Sequence, residues 1–131
     1  MANKILHQAK GFSHRKVVKL FGFITTTTAG AIDSAASTNC NGFTVARTSA
    51  GLYRLTLENT YQSLIMAQAI ANKASASWVA GKGVASLLSA FSMANGTVDI
   101  AFIDDTGVVD DVTDGSLIFF ELTFADSLLS R

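Results

Sequence analysis

The chain has 131 residues, a length typical of a single domain, and its 49% hydrophobic content excludes an intrinsically disordered chain. Ten basic and ten acidic residues give a formal net charge of zero, which excludes a domain that binds nucleic acid by being basic throughout. Only 15% of residues are charged, against about 25% in a typical soluble domain. Much of the surface must therefore be neutral or apolar, which favours an assembly component over an enzyme.

The N-terminus lacks the apolar run and small-residue cleavage site of a signal peptide. The most apolar stretches, residues 64–71 and 117–124, are shorter than the ~18 residues that a membrane helix needs. We therefore expect the protein to be made in, and to stay soluble in, a cytoplasm. Cys40 is the only cysteine, which excludes an intrachain disulfide and a cysteine-based zinc cluster.

Residues 1–16 are predicted to form an extended N-terminal arm, and residues 17–131 a single domain. Residues 1–32 carry five cations and no acid, whereas residues 99–131 carry eight acids. One hypothesis is that the arm docks on an acidic surface of its own subunit or of a neighbour. The alternative is an ordinary solvated segment. The residues expected to anchor the arm are Lys4, Ile5, Leu6, Lys10, Phe12, Arg15 and Lys16.

The first half of the domain reads as β-structure with one long connection. Residues 17–24 predict a strand with Gly22 as a possible bulge. Residues 25–42 are a low-complexity loop, and a loop of this length tends to be functional or packed on a partner. Residues 43–48 and 52–58 alternate around the turn at residues 49–51, which predicts a β-hairpin with Tyr53, Leu55 and Leu57 facing inward.

The second half continues the pattern. Residues 64–74 are rich in helix formers, but their apolar alternation favours a strand. Asn95-Gly96, a type I′ turn dipeptide, joins the segments at residues 84–93 and 98–103. After the acidic loop at residues 104–115, residues 116–125 form a final strand with apolar residues on both faces. About seven short strands with hairpin connections predict an antiparallel β-sandwich that is jelly-roll-like.

Catalytic and metal sites are mostly excluded. His7 and His14 lie in the arm and Cys40 in a loop, so no nucleophilic triad is apparent. Residues 110–121 partly match a calcium loop, but Val112 replaces an oxygen ligand at the third position. We predict no cofactor and no metal. Glu121 holds the twelfth position of that partial match. The alternative is that the aspartates of the loop bind a cation in another geometry: Asp104, Asp105, Asp110, Asp111 and Asp114.

Residues 59–98 contain no acid and only two lysines. A segment this apolar is unsuited to face water on every side, so we expect it to supply the contacts of a homotrimer. The expected interface residues are Trp78, Leu87, Leu88 and Phe91. Trp78 is interpreted as a core or interface anchor rather than a sugar platform.

One segment carries a family resemblance. Residues 42–57 read Gly-Phe-Thr-Val-Ala-Arg-Thr-Ser-Ala-Gly-Leu-Tyr-Arg-Leu-Thr-Leu. This hairpin resembles the G-[FY]-T-V-x-R-T-x-x-G-x-Y-x-[LV]-T-L pattern of small tailed-bacteriophage virion proteins. The later strand at residues 98–102, the loop at 104–115 and the apolar strand at 117–124 extend the resemblance over residues 42–125.

The resemblance implies a head decoration (cement) protein, a small β-sandwich, often trimeric, that binds the major capsid protein on the outer capsid lattice. It implies location on the capsid exterior of a virion made in the host cytoplasm, with no nucleic acid, membrane or small-molecule partner. The first alternative is a receptor-binding or fibre-tip β-sandwich that recognises host carbohydrate. The second alternative is an enzyme.

Overall fold

A computed structural model describes residues 16–27, 29–33, 39–72, 85–112 and 116–126. These ranges contain eight strands and no helix, which confirms the all-β prediction. The strands are β1 (Lys16–Thr25), β2 (Asn39–Cys40), β3 (Phe43–Ser49), β4 (Leu52–Leu57), β5 (Ser63–Asn72), β6 (Ala85–Ser92), β7 (Thr97–Ile103) and β8 (Leu117–Asp126).

The strands form two four-stranded antiparallel sheets in a sandwich-like arrangement. Sheet 1 has the order β2-β1-β8-β5, and sheet 2 has the order β3-β4-β7-β6. Strands β5 and β6 are the edge strands on one side, where the Ser86 hydroxyl donates a 2.6 Å hydrogen bond to the Ala69 carbonyl. The short strand β2 and strand β3 are the edges on the opposite side.

The core lies between the two sheets and follows from strand alternation. In β4, Tyr53 and Leu55 are fully buried, whereas Arg54 between them and Thr56 after them are exposed. The rings of Phe43 on β3 and Phe120 on β8 meet edge to face across the sheets, with centroids 6.4 Å apart. The remaining fully buried side chains from the central strands are Ile24, Val98, Ile100, Phe102, Ile118, Leu122 and Phe124.

Both hairpins that the sequence predicts are present. In the β3–β4 hairpin, Gly51 adopts a φ of 71°, a conformation that favours glycine. The β6–β7 hairpin closes through a four-residue turn at residues 93–96, longer than the two-residue turn typical of Asn-Gly. In that turn Gly96 has a φ of 67°, and its N–H donates to the Met93 carbonyl.

The segment that was ambiguous between helix and strand is the strand β5. It pairs with β8 from Ser63 to Asn72, with one register shift between Leu64 and Met66. Tertiary pairing with β8 therefore overrides the helix propensity of its alanine and leucine residues. Residues 73 and 74, which the prediction included, lie outside the described part of the chain.

The prediction of a bulge at Gly22 is wrong. Strand β1 pairs with β8 without interruption from Lys16 to Thr25. Gly22 is required by close packing instead, because a Cβ there would lie 2.7 Å from the Phe43 ring and 2.8 Å from the Cys40 Cα. The backbone of Lys16, assigned above to the arm, begins β1.

The described parts of residues 25–42 have local structure of their own. Cys40 in β2 pairs with Gly22 in β1, and Thr26 forms an isolated bridge with Ile32. The Thr26 N–H and hydroxyl both bond to the carbonyl of Ser116. Residues 28 and 34–38 of this loop are outside the described ranges.

We expect Gly22→Ala to lower the free energy of unfolding by about 1–3 kcal/mol, because the added methyl group overpacks the site beside Phe43. Chemical denaturation measures the change. In a Phe43→Leu background, where the ring is absent, the same substitution should cost less. An equal cost in both backgrounds would show that contact with the ring is not the reason for this glycine.

Candidate interaction surfaces

At the turn end of the β3–β4 hairpin, the Asp111 carboxylate accepts several hydrogen bonds, an arrangement that we call the carboxylate clamp. Both oxygens of Asp111 accept hydrogen bonds from Arg47, Oδ1 from Nε at 2.9 Å and Oδ2 from Nη2 at 2.7 Å. Oδ1 also accepts a 2.7 Å bond from the Gly51 N–H. The side chain of Asp111 is only 10% exposed, so a bidentate cation and a backbone donor together balance the cost of burying its charge.

The same clamp holds the loop after β1. A Cβ on Gly30 would lie 2.5 Å from the Asp111 Cβ, so only glycine fits there at its φ of 89°. The Tyr53 hydroxyl donates a 3.0 Å hydrogen bond to the Gly30 carbonyl. Burial raises the pKa of Tyr53 to about 12, so the phenol stays neutral. The arrangement joins three segments of the chain, and its role is structural.

A second ion pair lies on the outer face of sheet 2. Arg54 and Asp99 are direct cross-strand partners on β4 and β7, and they form two hydrogen bonds of 2.7 and 2.8 Å. The hydrogen bond from Arg54 holds the pKa of Asp99 below its ordinary value. This pair gives the outer face of sheet 2 a polar centre.

The outer face of sheet 1 is different, because it carries a row of apolar side chains. Phe23, Phe119 and Ile70 are neighbours in register across β1, β8 and β5. Phe21, which is 46% exposed, stacks on Phe119 with ring centroids 6.1 Å apart. We call these four residues the aromatic face.

The charges beside the aromatic face are paired with each other. Glu121 accepts a 2.7 Å hydrogen bond from Gln68 and a 3.1 Å bond from Lys19. The bond from Gln68, followed by the bond from Lys19, holds the pKa of Glu121 below its ordinary value. Lys19 lies in the basic N-terminal third and Glu121 in the acidic C-terminal third, so the charge asymmetry of the sequence is used within the subunit here.

The side of the sandwich formed by β5 and β6 has no charged residue along either strand. Five of the eight exposed large hydrophobic residues in the described ranges lie on these two strands. We call four of them the apolar edge: Ile65 (56% exposed), Leu87 (45%), Leu88 (38%) and Phe91 (53%). The fifth, Ile70, belongs to the aromatic face and joins the two surfaces.

Three of the four predicted interface residues, Leu87, Leu88 and Phe91, thus lie exposed on strand β6. Leu88 and Phe91 lie opposite core residues of β7 and point to the inner side of sheet 2, whereas Leu87 points to its outer side. The fourth, Trp78, lies outside the described residues. The same is true of His7, His14 and the anchoring residues of the arm before Lys16. Cys40 is half-buried in β2, and burial raises the pKa of its thiol.

The acids of the candidate cation loop have separate roles. Asp104 Oδ1 accepts bonds from the Thr106 hydroxyl and from the Thr106 and Val108 N–H groups. Asp111 binds Arg47, and Glu121 lies on the outer face of sheet 1. Within the described ranges, which exclude Asp114, no three His, Cys, Asp or Glu side chains are grouped so that they could hold a metal ion.

Sequence reasoning missed both arginine–aspartate pairs and the aromatic face. A signal for the face was present, because Phe21 and Phe23 alternate with Leu20 and Ile24, so that β1 is apolar on both sides. The same signal was noted for the last strand, where Phe119 indicated a second covered face. No local signal links Arg47 to Asp111, 64 residues later.

We expect Asp111→Asn to lower the free energy of unfolding by about 1–3 kcal/mol, since the amide cannot accept all three bonds and leaves Arg47 without its counter-charge. Chemical denaturation measures the change. Glu58→Gln is the matched control, because it removes the same charge from an exposed position and should change stability little. Similar losses in the two variants would contradict the clamp.

The Arg54–Asp99 pair should make stability depend on acid pH. A carboxylate whose pKa is depressed in the folded state stabilises fully above its ordinary pKa of about 3.9, and this contribution is lost as pH falls through the folded-state pKa. Melting temperatures of the wild type and Asp99→Asn should therefore converge below pH 4 and differ most near pH 7. A constant difference from pH 7 to pH 2.5 would refute this origin.

Comparison of the chain with protein-family models, curated proteins and solved structures gives no match. The fold and its surfaces are therefore interpreted from the residues themselves. A search of the described residues for a helix long and apolar enough to span a membrane also found none.

Proposed function

We propose that the protein is a structural component of a tailed-bacteriophage virion, which decorates the head and stabilises it by binding the outer lattice of the major capsid protein. It acts there as a homotrimer, without catalytic activity, cofactor or metal. Its location is the capsid exterior, after synthesis in the host cytoplasm. Its partners are the capsid subunit and its own copies, with no nucleic acid, membrane or small molecule involved.

The observation that carries this proposal is the apolar edge. Edge strands of soluble proteins are normally protected by charged residues or proline, because an open strand edge invites association. Neither β5 nor β6 has a charge or a proline, and Leu87, Leu88 and Phe91 are exposed there. A surface of this kind suits a protein that works while covered by neighbours.

The residues behind the family resemblance support a structural role. Phe43 of that pattern packs in the core, Arg47 and Gly51 bind Asp111, and Tyr53 bonds to the loop after β1. These four residues thus stabilise the hairpin and the loops beside it. Their contacts are those of folding, which fits a structural protein better than an enzyme.

The jelly-roll-like class and the N-terminal arm belong to the same proposal. Two packed antiparallel sheets of four strands support the former. A jelly-roll-like assignment has to account for the strand order, in which the sequential hairpins β3–β4 and β6–β7 lie in one sheet. For the arm, we propose that residues 1–15 contact an acidic or polar surface of the lattice or of an adjacent copy.

Reconstitution on phage heads tests the proposal. Purified protein is added to heads that lack it, and cryo-electron microscopy counts the copies bound. We expect copies over the whole lattice and greater resistance of the heads to heat. A chain that begins at Lys16 should fold but occupy fewer sites, increasingly so as salt rises. Binding of a few copies at the tail only, or no binding, would overturn the assignment.

The aromatic face favours one alternative function. Phe21, exposed and stacked on the half-buried Phe119 beside Glu121 and Gln68, is a platform on which a sugar ring could pack. The second candidate is therefore a receptor-binding domain that recognises host carbohydrate. Binding to a glycan array that is lost in Phe21→Ala, together with tail location on the virion, would favour this candidate over head decoration.

A further inference from the structure

The aromatic face and the apolar edge are two separate surfaces of one subunit. The face lies on the outside of sheet 1, and the edge runs along the β5–β6 side of the sandwich. Ile70, at 55% exposure, stands where the two surfaces meet. The outer face of sheet 2 is different, because the Arg54–Asp99 pair occupies its centre and Leu87 of the apolar edge lies at its margin.

The two surfaces match each other in charge. The apolar edge has none, and the two charges beside the aromatic face, Lys19 and Glu121, already neutralise each other at 3.1 Å. Contact between the surfaces would bury apolar area without stranding a charge, which is the composition expected at the centre of a stable interface. A strongly charged partner would find no unpaired charge on the described residues of either surface.

Symmetry then determines what the pairing produces. An interface of one patch with itself generates a two-fold dimer, whereas a closed ring of three requires two different patches that meet head to tail. The subunit has two different patches, on a face and on an adjoining side of the sandwich. A contact between face and side turns each copy relative to the last, as ring closure requires.

We propose that the apolar edge of one copy packs on the aromatic face of the next, so that three copies close into a head-to-tail ring. This inference rests on the trimer of the proposed function and identifies its two surfaces. Phe91 and Leu88 of one copy are the anchors of the edge, and Phe21 and Phe119 of the next copy receive them. In the ring both surfaces are covered, so the face is closed to carbohydrate.

A mixing experiment tests the head-to-tail arrangement. Phe21→Arg disables the face and Phe91→Arg disables the edge; both side chains are about half exposed, so each arginine can extend into solvent. Light scattering after size-exclusion chromatography should give a trimer for the wild type and a monomer for each variant alone. An equimolar mixture should give a dimer, because the intact edge of the first variant binds the intact face of the second.

Other outcomes overturn the proposal. If only one of the two variants dissociates, the other surface has no part in the interface, and the contact is a patch with itself or with a different region. A wild-type monomer refutes the ring outright. Val108→Arg is the matched control, since Val108 is 59% exposed on a loop outside both surfaces, and it should stay trimeric. Cooperative thermal unfolding establishes that the variants fold, and Phe21→Ser with Phe91→Ser replaces the pair if they do not.

Different results would contradict the ring and the decoration function. If monomeric Phe21→Arg still covers phage heads as fully as the wild type, head binding stands and the ring is unnecessary for it. If the wild type forms the ring but does not bind heads, the two surfaces are assigned correctly and the virion location is wrong. Binding of glycans by the wild-type trimer would show that the aromatic face is open and would overturn the ring as proposed.

Discussion

The carboxylate of Asp111 fixes one end of the sandwich, and much of the loop structure depends on it. It accepts three hydrogen bonds at 2.7–2.9 Å, two from Arg47 and one from the turn at Gly51. It also packs against Gly30, whose carbonyl binds the Tyr53 hydroxyl. The hairpin, the loop after β1 and the loop after β7 are thereby held in one arrangement. Because the anchor is a nearly buried charge, losing one partner costs more than losing an exposed ion pair.

Several charges in the described part of the chain are used inside the subunit. Three described ion pairs, Arg47–Asp111, Arg54–Asp99 and Lys19–Glu121, each join distant parts of the sequence. A charge that is paired inside the subunit cannot also protect a strand edge, and β5 and β6 have no charged residues of their own. The low charge content of the chain, which favours an assembly component, therefore has its main effect on the β5–β6 side of the sandwich. That side, together with the aromatic face, is where we place contacts with other copies.

Alternation in the sequence was sufficient to predict most of the fold, because each inward-facing residue of a strand leaves a local period of two. The β3–β4 hairpin and the strand character of β5 are examples. Long-range packing leaves no such local trace. Gly22 reads locally as a bulge, but its reason is the ring of Phe43, and the attachment of Arg47 to Asp111 depends on how two loops fold together. The aromatic face could be predicted only in part, because its phenylalanines are evident in the sequence but their register across three strands is not.

An uncharged strand edge has two physical outcomes at high concentration. Left open, it recruits further strands without limit, which ends in aggregation. Covered by a surface that turns each copy relative to the last, it closes after a fixed number of subunits. The register shift in β6 between Leu88 and Ala90 disfavours the first outcome, because a bulge interrupts regular pairing along the open edge. Side-chain packing of Leu88 and Phe91 on a neighbouring face needs no such pairing. The bulge therefore leaves the apolar edge suited to a closed ring of copies and poorly suited to strand-by-strand growth.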